Sequence, residues 1–293
     1  FVKAIAGLRA QGMEHLVVDL RDNSGGYFDQ ALMMSNLFLP KDSLIVFLEG
    51  RKRAREDYRA DGRGPYQDLP VSLLINEGSA SSSEIFAGAL QDNHRATIVG
   101  RRSFGKGLVQ EPINFTDGSG IRLTVARFHT PSGRCIQKPY TEDYAFEVYK
   151  RYAGSEMVQK DSMKIENGGI IPDVFVPLDT TRASDFYIKC NKKASALRFA
   201  SHYFDKHHAE LSAIDDYAQL LDYLDQAELD KQFLQFVKKT DGLVPKKGEW
   251  EDSKDYMMTQ IRALVGRYSA LSDNAFYHIY LSIDETFAAA VKK

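Results

Sequence analysis

The chain of 293 residues is 43% apolar and 27% charged and carries a formal net charge of −2. That composition is typical of a globular protein with one large domain or two ordinary ones, and the near-neutral charge gives no electrostatic case for binding nucleic acid or an anionic membrane. The two cysteines, Cys135 and Cys190, are too few for a disulfide framework or a zinc cluster, and no apolar run approaches the roughly 20 residues of a membrane span.

Residues 1–129 alternate between helical and strand patterns. Val2, Ile5 and Leu8 predict a short helix that ends near Gly12. Further helices are predicted over residues 27–39 and 83–93, and compact apolar strands over residues 15–20, 43–50, 71–76, 96–100 and 120–129. This order of strand, turn, helix and strand predicts an α/β core with substantial parallel pairing.

The pattern changes from about Asp185 onward. Pro and Gly become scarce, and apolar residues recur at spacings of three to four, as in "DYAQLLDYLDQ". The sequence therefore predicts a core over residues 1–182 and an all-α domain over residues 183–293. Because the chain starts without Met and inside a helical pattern, we expect it to be a fragment, with any signal peptide lying outside this sequence.

The stretch "GRRSFGKG" (residues 100–107) is a near-match to a phosphate-binding loop. In such a loop a Ser or Thr that holds Mg²⁺ follows the Lys, but here Gly107 follows Lys106. A helix must also follow, and Pro112 would break it. The sequence predicts a strand after residue 107 instead, and Lys106 needs another explanation.

The stretch "GSASSSE" (residues 78–84) has two interpretations. Ser81 and Glu84 form the S-x-x-E pattern of a capping box, which would give Ser81 a purely structural task. Alternatively, Ser81 lies on a sharp turn from strand to helix, at the positive end of a helix dipole, where it could act as a nucleophile. Nearby backbone N–H groups could then stabilise an oxyanion.

A nucleophilic serine needs a base, and the chain offers no histidine near Ser81. His94, for example, ends the helix that Ser81 would start. A lysine can act as the base if its amine is desolvated, because burial favours the neutral form. Lys106, flanked by Phe104 and two glycines, is a candidate for a close-packed amine. Gln110 lies four residues further on, which would place it on the same face of a strand, where its amide oxygen could orient the amine.

Five sequence blocks together resemble the C-terminal processing peptidases, also called tail-specific proteases. In chain order they are "VVDLRDNSGGYF", "NEGSASSSEIFAGALQDN", "GRRSFGKGLVQ", "DGSGIRLTVARFHTPSGRCIQ" and "GGIIPDVFV". In that family a Ser-Lys dyad hydrolyses peptide bonds through an acyl-enzyme, and a Gln supports the Lys. The resemblance implies that Ser81 is the nucleophile, Lys106 the general base and Gln110 its supporting residue.

The resemblance also implies the rest of the site and the fold. Its oxyanion donors correspond to the backbone N–H groups of Gly26 and Ser82, with Gly25 as the nearest alternative to Gly26. Without the resemblance, the "NSGG" glycines could equally serve only a tight turn. The implied fold is a mixed-sheet α/β core of crotonase/ClpP-like strand-turn-helix units, followed by the all-α domain.

The family's biology sets further expectations. The substrate would be a protein or peptide, with no metal or organic cofactor and no nucleic acid. Many members carry a PDZ domain just upstream of the point where this chain begins. The implied location is the bacterial periplasm or cell envelope, and membrane association through a missing N-terminus stays open.

Two other functions compete with the peptidase. One is a catalytically idle scaffold that holds peptides in the same groove, although such a protein has little reason to keep Ser81, Lys106 and Gln110 together. The other is an acyl-transfer or crotonase-like enzyme on a related core, for which the sequence shows neither an acidic pair nor an adenine-nucleotide signature.

Overall fold

The computed structural model describes residues 1–139, 168–179 and 183–292. Contacts between residues divide the chain into two compact units, one of Phe1–Leu178 with Ala289–Lys293 and one of Asp179–Ala288. The predicted domains differ from this division chiefly at the C-terminus, which groups with the first unit. Residues 180–182, next to the predicted domain boundary, lie outside the described residues.

Strands and helices of the first unit follow the apolar patterns of the sequence closely. The strands are β1 Leu16–Asp19, β2 Leu44–Glu49, β3 Glu56–Arg59, β4 Val71–Ile75, β5 Thr97–Gly100, β6 Leu108–Asn114, β7 Gly120–His129 and β8 Val174–Phe175. The helices are α1 Val2–Ala10, α2 Phe28–Asn36 and α3 Ser82–Asp92. The strand expected after residue 107 is therefore confirmed as β6. The sequence patterns did not predict β3 or the two-residue β8.

A four-stranded parallel sheet, in the order β1-β4-β5-β8, carries the turns of interest. All five residues of its inner strand β4 are buried, as expected for a parallel strand that is covered on both faces. Helix α3 connects β4 to its parallel neighbour β5. Phe86 on α3 and Leu73 on β4 belong to one apolar core, at 1% and 0% exposure. Burial of this helix therefore fixes where its N-terminus lies.

A second sheet is antiparallel, in the order β3-β2-β7-β6. Its edge strand β3 has the sequence EDYR, and three of these four residues are exposed. Charged side chains at a sheet edge discourage pairing with other chains. A strand made of such residues has no alternation of apolar and polar residues, so the sequence pattern does not predict it. With one parallel and one antiparallel sheet, the predicted mixed-sheet α/β core is confirmed.

The second unit consists of helices in its described part, as predicted. They are α4 Asp185–Lys192, α5 Ser195–Ala213, α6 Tyr217–Gln226, α7 Leu229–Asp241, α8 Glu249–Gly266, α9 Asp273–Tyr280 and the start of α10 Glu285–Val291, with a 3₁₀ turn at Leu281–Ile283. Its core is rich in aromatic rings: Phe199 lies 5.5 Å from Phe233, which lies 6.3 Å from Trp250 between ring centroids. In the described ranges no helix has the length and apolar character needed to cross a membrane.

Two leucines of α5 provide a test of this core. Leu211 is fully buried, whereas Leu197 on the same helix is 53% exposed. We expect Leu211→Ala to lower the free energy of unfolding of this unit by about 2–5 kcal/mol, because it removes buried methyl groups and leaves a cavity. Leu197→Ala should change it by at most about 0.5 kcal/mol.

Urea denaturation followed by tryptophan fluorescence measures this difference. Trp250 is the single tryptophan of the chain and belongs to the second unit, so its fluorescence reports on that unit. Equal midpoints for the two variants would contradict the packing described here.

Candidate active site

Three turns follow the carboxyl ends of three adjacent parallel strands. We call them the β1 turn (residues 20–27), the β4 turn (residues 76–81) and the β5 turn (residues 101–107). Because the strands are parallel neighbours, these turns emerge at one edge of the sheet, where α/β proteins commonly bind their ligands. The turns contain Gly25 and Gly26, Ser81, and Lys106, respectively. The sheet thus brings together residues that lie far apart in the sequence.

Ser81 ends the β4 turn in a strained backbone conformation. Its φ is +59° and its ψ is −119°, and it immediately precedes α3. A residue other than glycine in such a sparsely populated region costs about 1–3 kcal/mol and persists only where the surroundings enforce it. The predicted capping box with Glu84 is confirmed in the bond that the Ser81 N–H donates to the Glu84 carboxylate. The same turn leaves Ser81 partly exposed at the positive end of α3.

Glu84 joins the turn of Ser81 to the turn of Lys106. Its carboxylate is buried, with a residue exposure of 1%. Oε2 accepts hydrogen bonds from the backbone N–H groups of Ser81 and Lys106, each at 2.8 Å. Oε1 accepts from the Gly105 N–H at 2.6 Å and from the Ser103 hydroxyl at 2.5 Å. The backbone nitrogens of Ser81 and Lys106 therefore lie within two hydrogen-bond lengths of each other.

Burial and hydrogen bonding act on this carboxylate in opposite directions. Burial raises the pKa of Glu84 above its ordinary value, while hydrogen bonds from Ser103, Lys106, Gly105 and Ser81 partly offset that rise. The sequence predicted Glu84 only as a capping residue and missed its bonds to the β5 turn. The helix start "SSEIFAGAL" contains one carboxylate among small and apolar residues. This pattern could have predicted a buried carboxylate with several hydrogen-bond donors, because a buried carboxylate needs them.

The near-match to a phosphate loop now has a structural explanation. The backbone N–H groups of Gly105 and Lys106 do surround an anion, but this anion is the protein's own Glu84 carboxylate. Gly105 has a φ of +86°, and a Cβ there would lie 2.9 Å from the Lys138 Cβ. Strand β6 follows the loop, whereas a phosphate-binding loop opens a helix.

The Lys106 side chain is exposed, which contradicts the expectation of a close-packed amine. The reason is that the peptide N–H of Lys106 points inward to Glu84, while both neighbouring glycines are buried. Phe104, expected beside the amine, instead has the Lys138 ammonium 4.1 Å from its ring centroid. The backbone of Lys106 is thus held by a hydrogen bond, whereas its side chain is exposed to solvent.

Gln110 lies on β6, and its side chain is also exposed. Its Nε2 donates to the Thr124 hydroxyl on the paired strand β7 at 3.2 Å. Lys106 precedes β6, and the pairing register shifts between Val109 and Gln110, so the argument from even spacing along one strand does not apply. A supporting role for Gln110 remains a prediction.

The β1 turn packs directly against the turn of Ser81. Gly25 has a φ of +82°, and a Cβ on it would lie 2.5 Å from the Ala80 carbonyl oxygen and 2.9 Å from the Ser81 Cβ. Both its conformation and its close contact therefore require glycine. The Gly25 N–H donates to Asn23 Oδ1 at 2.9 Å, within its own turn.

Gly26 directs its N–H toward the start of α3. This N–H donates to the Ser82 hydroxyl oxygen at 2.7 Å. The Ser82 N–H itself lies in the first turn of α3, where backbone N–H groups have no acceptor within the helix. Of the two glycines predicted as donors, Gly26 has the N–H that reaches the start of α3.

Comparison with known proteins identifies similar chains. A carboxyl-terminal-processing protease of Synechocystis sp. is 44% identical over 135 residues, which cover 46% of this chain and 31% of that protein. A chloroplastic C-terminal processing peptidase of Tetradesmus obliquus is 40% identical over 136 residues, covering 46% of this chain and 29% of the relative. The chain thus spans about a third of the length of these curated relatives.

Among solved structures, the photosystem II D1 C-terminal processing protease matches with 32% identity and a TM-score of 0.48, covering 61% of this chain and 39% of its own. Residues 186–269 match a family of unknown function. Residues 1–146 match the model of peptidase family S41. This N-terminal part of the chain is a peptidase family S41 domain.

Proposed function

We propose that this protein is a serine endopeptidase that cleaves proteins or peptides near their C-termini through a Ser-Lys dyad and an acyl-enzyme. The observation that carries the proposal is the shared carboxylate oxygen of Glu84, which accepts hydrogen bonds from the backbone of both Ser81 and Lys106. A strained serine and a lysine are thereby held side by side at the carboxyl edge of a parallel sheet.

In the proposed mechanism the Ser81 hydroxyl oxygen attacks the scissile carbonyl carbon. The neutral amine of Lys106 takes the hydroxyl proton and later donates it to the leaving amine. Water then hydrolyses the acyl-enzyme, with Lys106 again as the base. The backbone N–H groups of Gly26 and Ser82 stabilise the oxyanion of each tetrahedral intermediate, and removing one such donor typically costs about 3–4 kcal/mol of transition-state stabilisation.

Exposure of Lys106 sets a condition on this mechanism. Desolvation favours the neutral form of an amine, so the mechanism requires the bound substrate to exclude water from the exposed Lys106 side chain. Gln110 fits a supporting role because its amide nitrogen is used by Thr124, which leaves the amide oxygen as the acceptor for an amine proton.

The proposed location is the bacterial periplasm or cell envelope. It rests on the resemblance, and the relatives also include a protein named as chloroplastic. Attachment to a membrane through an upstream segment belongs to the same proposal.

Proteolysis with an unfolded protein substrate tests the proposal. The substrate is incubated with this chain, and mass spectrometry identifies the new termini. We expect cleavage at internal peptide bonds close to the C-terminus. Binding without cleavage would support the idle scaffold instead. Acyl transfer from an added thioester to an added amine, with release of the thiol and no new peptide termini, would support the crotonase-like alternative.

The first prediction concerns the dyad. Ser81→Ala and Lys106→Ala should each abolish cleavage, and the double variant should be no slower than either one, because nucleophile and base act as a unit. Ser81→Gly should be inactive too, yet it should unfold at a temperature no lower than the wild type, since glycine tolerates a φ of +59°. Single-turnover rates and calorimetry measure both effects. Wild-type turnover by Lys106→Ala would exclude the dyad.

The second prediction concerns Glu84. Glu84→Gln replaces one of two accepting oxygens with an NH₂ group, so two of the four surrounding donors lose their acceptor. We expect it to destabilise the first unit by about 1–3 kcal/mol per unsatisfied donor and to reduce kcat/KM.

Glu111 on β6 provides the matched control. Its side chain is exposed, and Glu111→Gln should leave both stability and kcat/KM close to those of the wild type. If Glu84→Gln behaved like this control, the carboxylate would not be what holds the two turns together.

The third prediction concerns Gln110 and pH. The kcat/KM of the wild type should rise with pH, because only the neutral amine of Lys106 accepts a proton. Gln110→Ala should lose up to about 100-fold in rate while keeping that rise, since a base misplaced by about an ångström loses roughly this factor. In Gln110→Glu the rise of kcat/KM should occur at a higher pH, because a carboxylate next to the amine favours its charged ammonium form. If both variants had the pH profile and the rates of the wild type, Gln110 would have no role in the site.

A further inference from the structure

The Gly26 N–H, a proposed oxyanion donor, already has an acceptor within the protein. It donates to the Ser82 hydroxyl oxygen at 2.7 Å, the shortest of the hydrogen bonds described between the β1 turn and the start of α3. Gly26 is exposed and Ser82 is partly exposed. The bond therefore lies at an open surface next to Ser81, where a substrate carbonyl would arrive.

The β1 turn keeps its shape through other contacts. The Asn23 carbonyl oxygen accepts from the Ala80 N–H at 3.0 Å, and Asn23 Oδ1 accepts from the Gly25 N–H at 2.9 Å. The Ser83 hydroxyl also donates to Asn23, at 3.0–3.1 Å. The Ala80 bond fastens the β1 turn to the β4 turn and the Ser83 bonds fasten it to the start of α3, so the Ser82 hydroxyl is not needed for that purpose.

We propose that the Ser82 hydroxyl is an internal competitor for the oxyanion hole, occupying the Gly26 N–H until a substrate carbonyl oxygen displaces it. This inference rests on the proposed function, in which Gly26 stabilises the oxyanion. Ser82 then has two opposing effects: its backbone N–H stabilises the oxyanion, and its side chain blocks the second donor. Rotation of the Ser82 side chain to another staggered position releases Gly26 and leaves the backbone in place.

The size of the effect follows from what replaces the hydroxyl. In Ser82→Ala a water molecule takes its place on Gly26, so the substrate displaces water instead of a tethered group. A net intramolecular hydrogen bond of ordinary strength corresponds to a factor of roughly two to ten. We therefore expect Ser82→Ala to raise kcat/KM by about that factor and to strengthen inhibition by a peptide aldehyde, whose adduct oxygen occupies the hole, to a similar extent.

Ser82→Thr is the matched variant, because it keeps a hydroxyl at the same position and should therefore show no gain in either measurement. If Ser82→Ala were no faster than the wild type, or if Ser82→Thr were accelerated equally, the competition would be excluded. A loss of activity in Ser82→Ala would show that the hydroxyl holds the hole in its active shape, which also overturns the inference.

A measurement independent of activity separates this inference from the proposed function. Amide hydrogen exchange of Gly26, followed by NMR, should be faster in Ser82→Ala than in the wild type and unchanged in Ser82→Thr. Unchanged exchange in Ser82→Ala would overturn the inference even in an active protease. A wild-type protein that cleaves no substrate would overturn the proposed function, and with it the role assigned to Ser82.

Discussion

The candidate site depends on one buried carboxylate. Glu84 is almost completely shielded from water, and burial alone would favour its protonated form. Two turns supply hydrogen-bond donors that offset part of this effect: Ser81 from the β4 turn, and Ser103, Gly105 and Lys106 from the β5 turn. Neither turn satisfies the carboxylate by itself. Each turn therefore depends on the other for its conformation.

The parallel sheet makes this arrangement possible. Strands β1, β4 and β5 are neighbours with their carboxyl ends at the same edge, so loops separated by up to about 80 residues of sequence meet there. Burial of α3 against the core fixes the direction of the helix and hence the position of Ser81. The antiparallel sheet supplies β6, which leads away from Lys106. The chemistry of the site is thus set by strand order.

The sequence predicted those parts of the fold that local patterns encode. Apolar runs identified β1, β2, β4 and β5, and the S-x-x-E pattern identified the start of α3. The charged strand β3 carries no such pattern and was missed. The second role of Glu84 could not be predicted, because it arises only when the β5 turn approaches α3. For the same reason the residues that flank Lys106 did not predict the exposure of its side chain. That side chain is exposed because the peptide N–H of Lys106 points inward to Glu84.

The mutual dependence of the two turns has a consequence for the newly made chain. The shared carboxylate joins residue 81 to residue 106, so both turns acquire their geometry only after β4 and β5 have paired and α3 has packed against the core. A partly folded chain holds the serine but not the aligned lysine. It follows that the geometry of the proposed dyad appears only once both strands and the helix between them in sequence have folded.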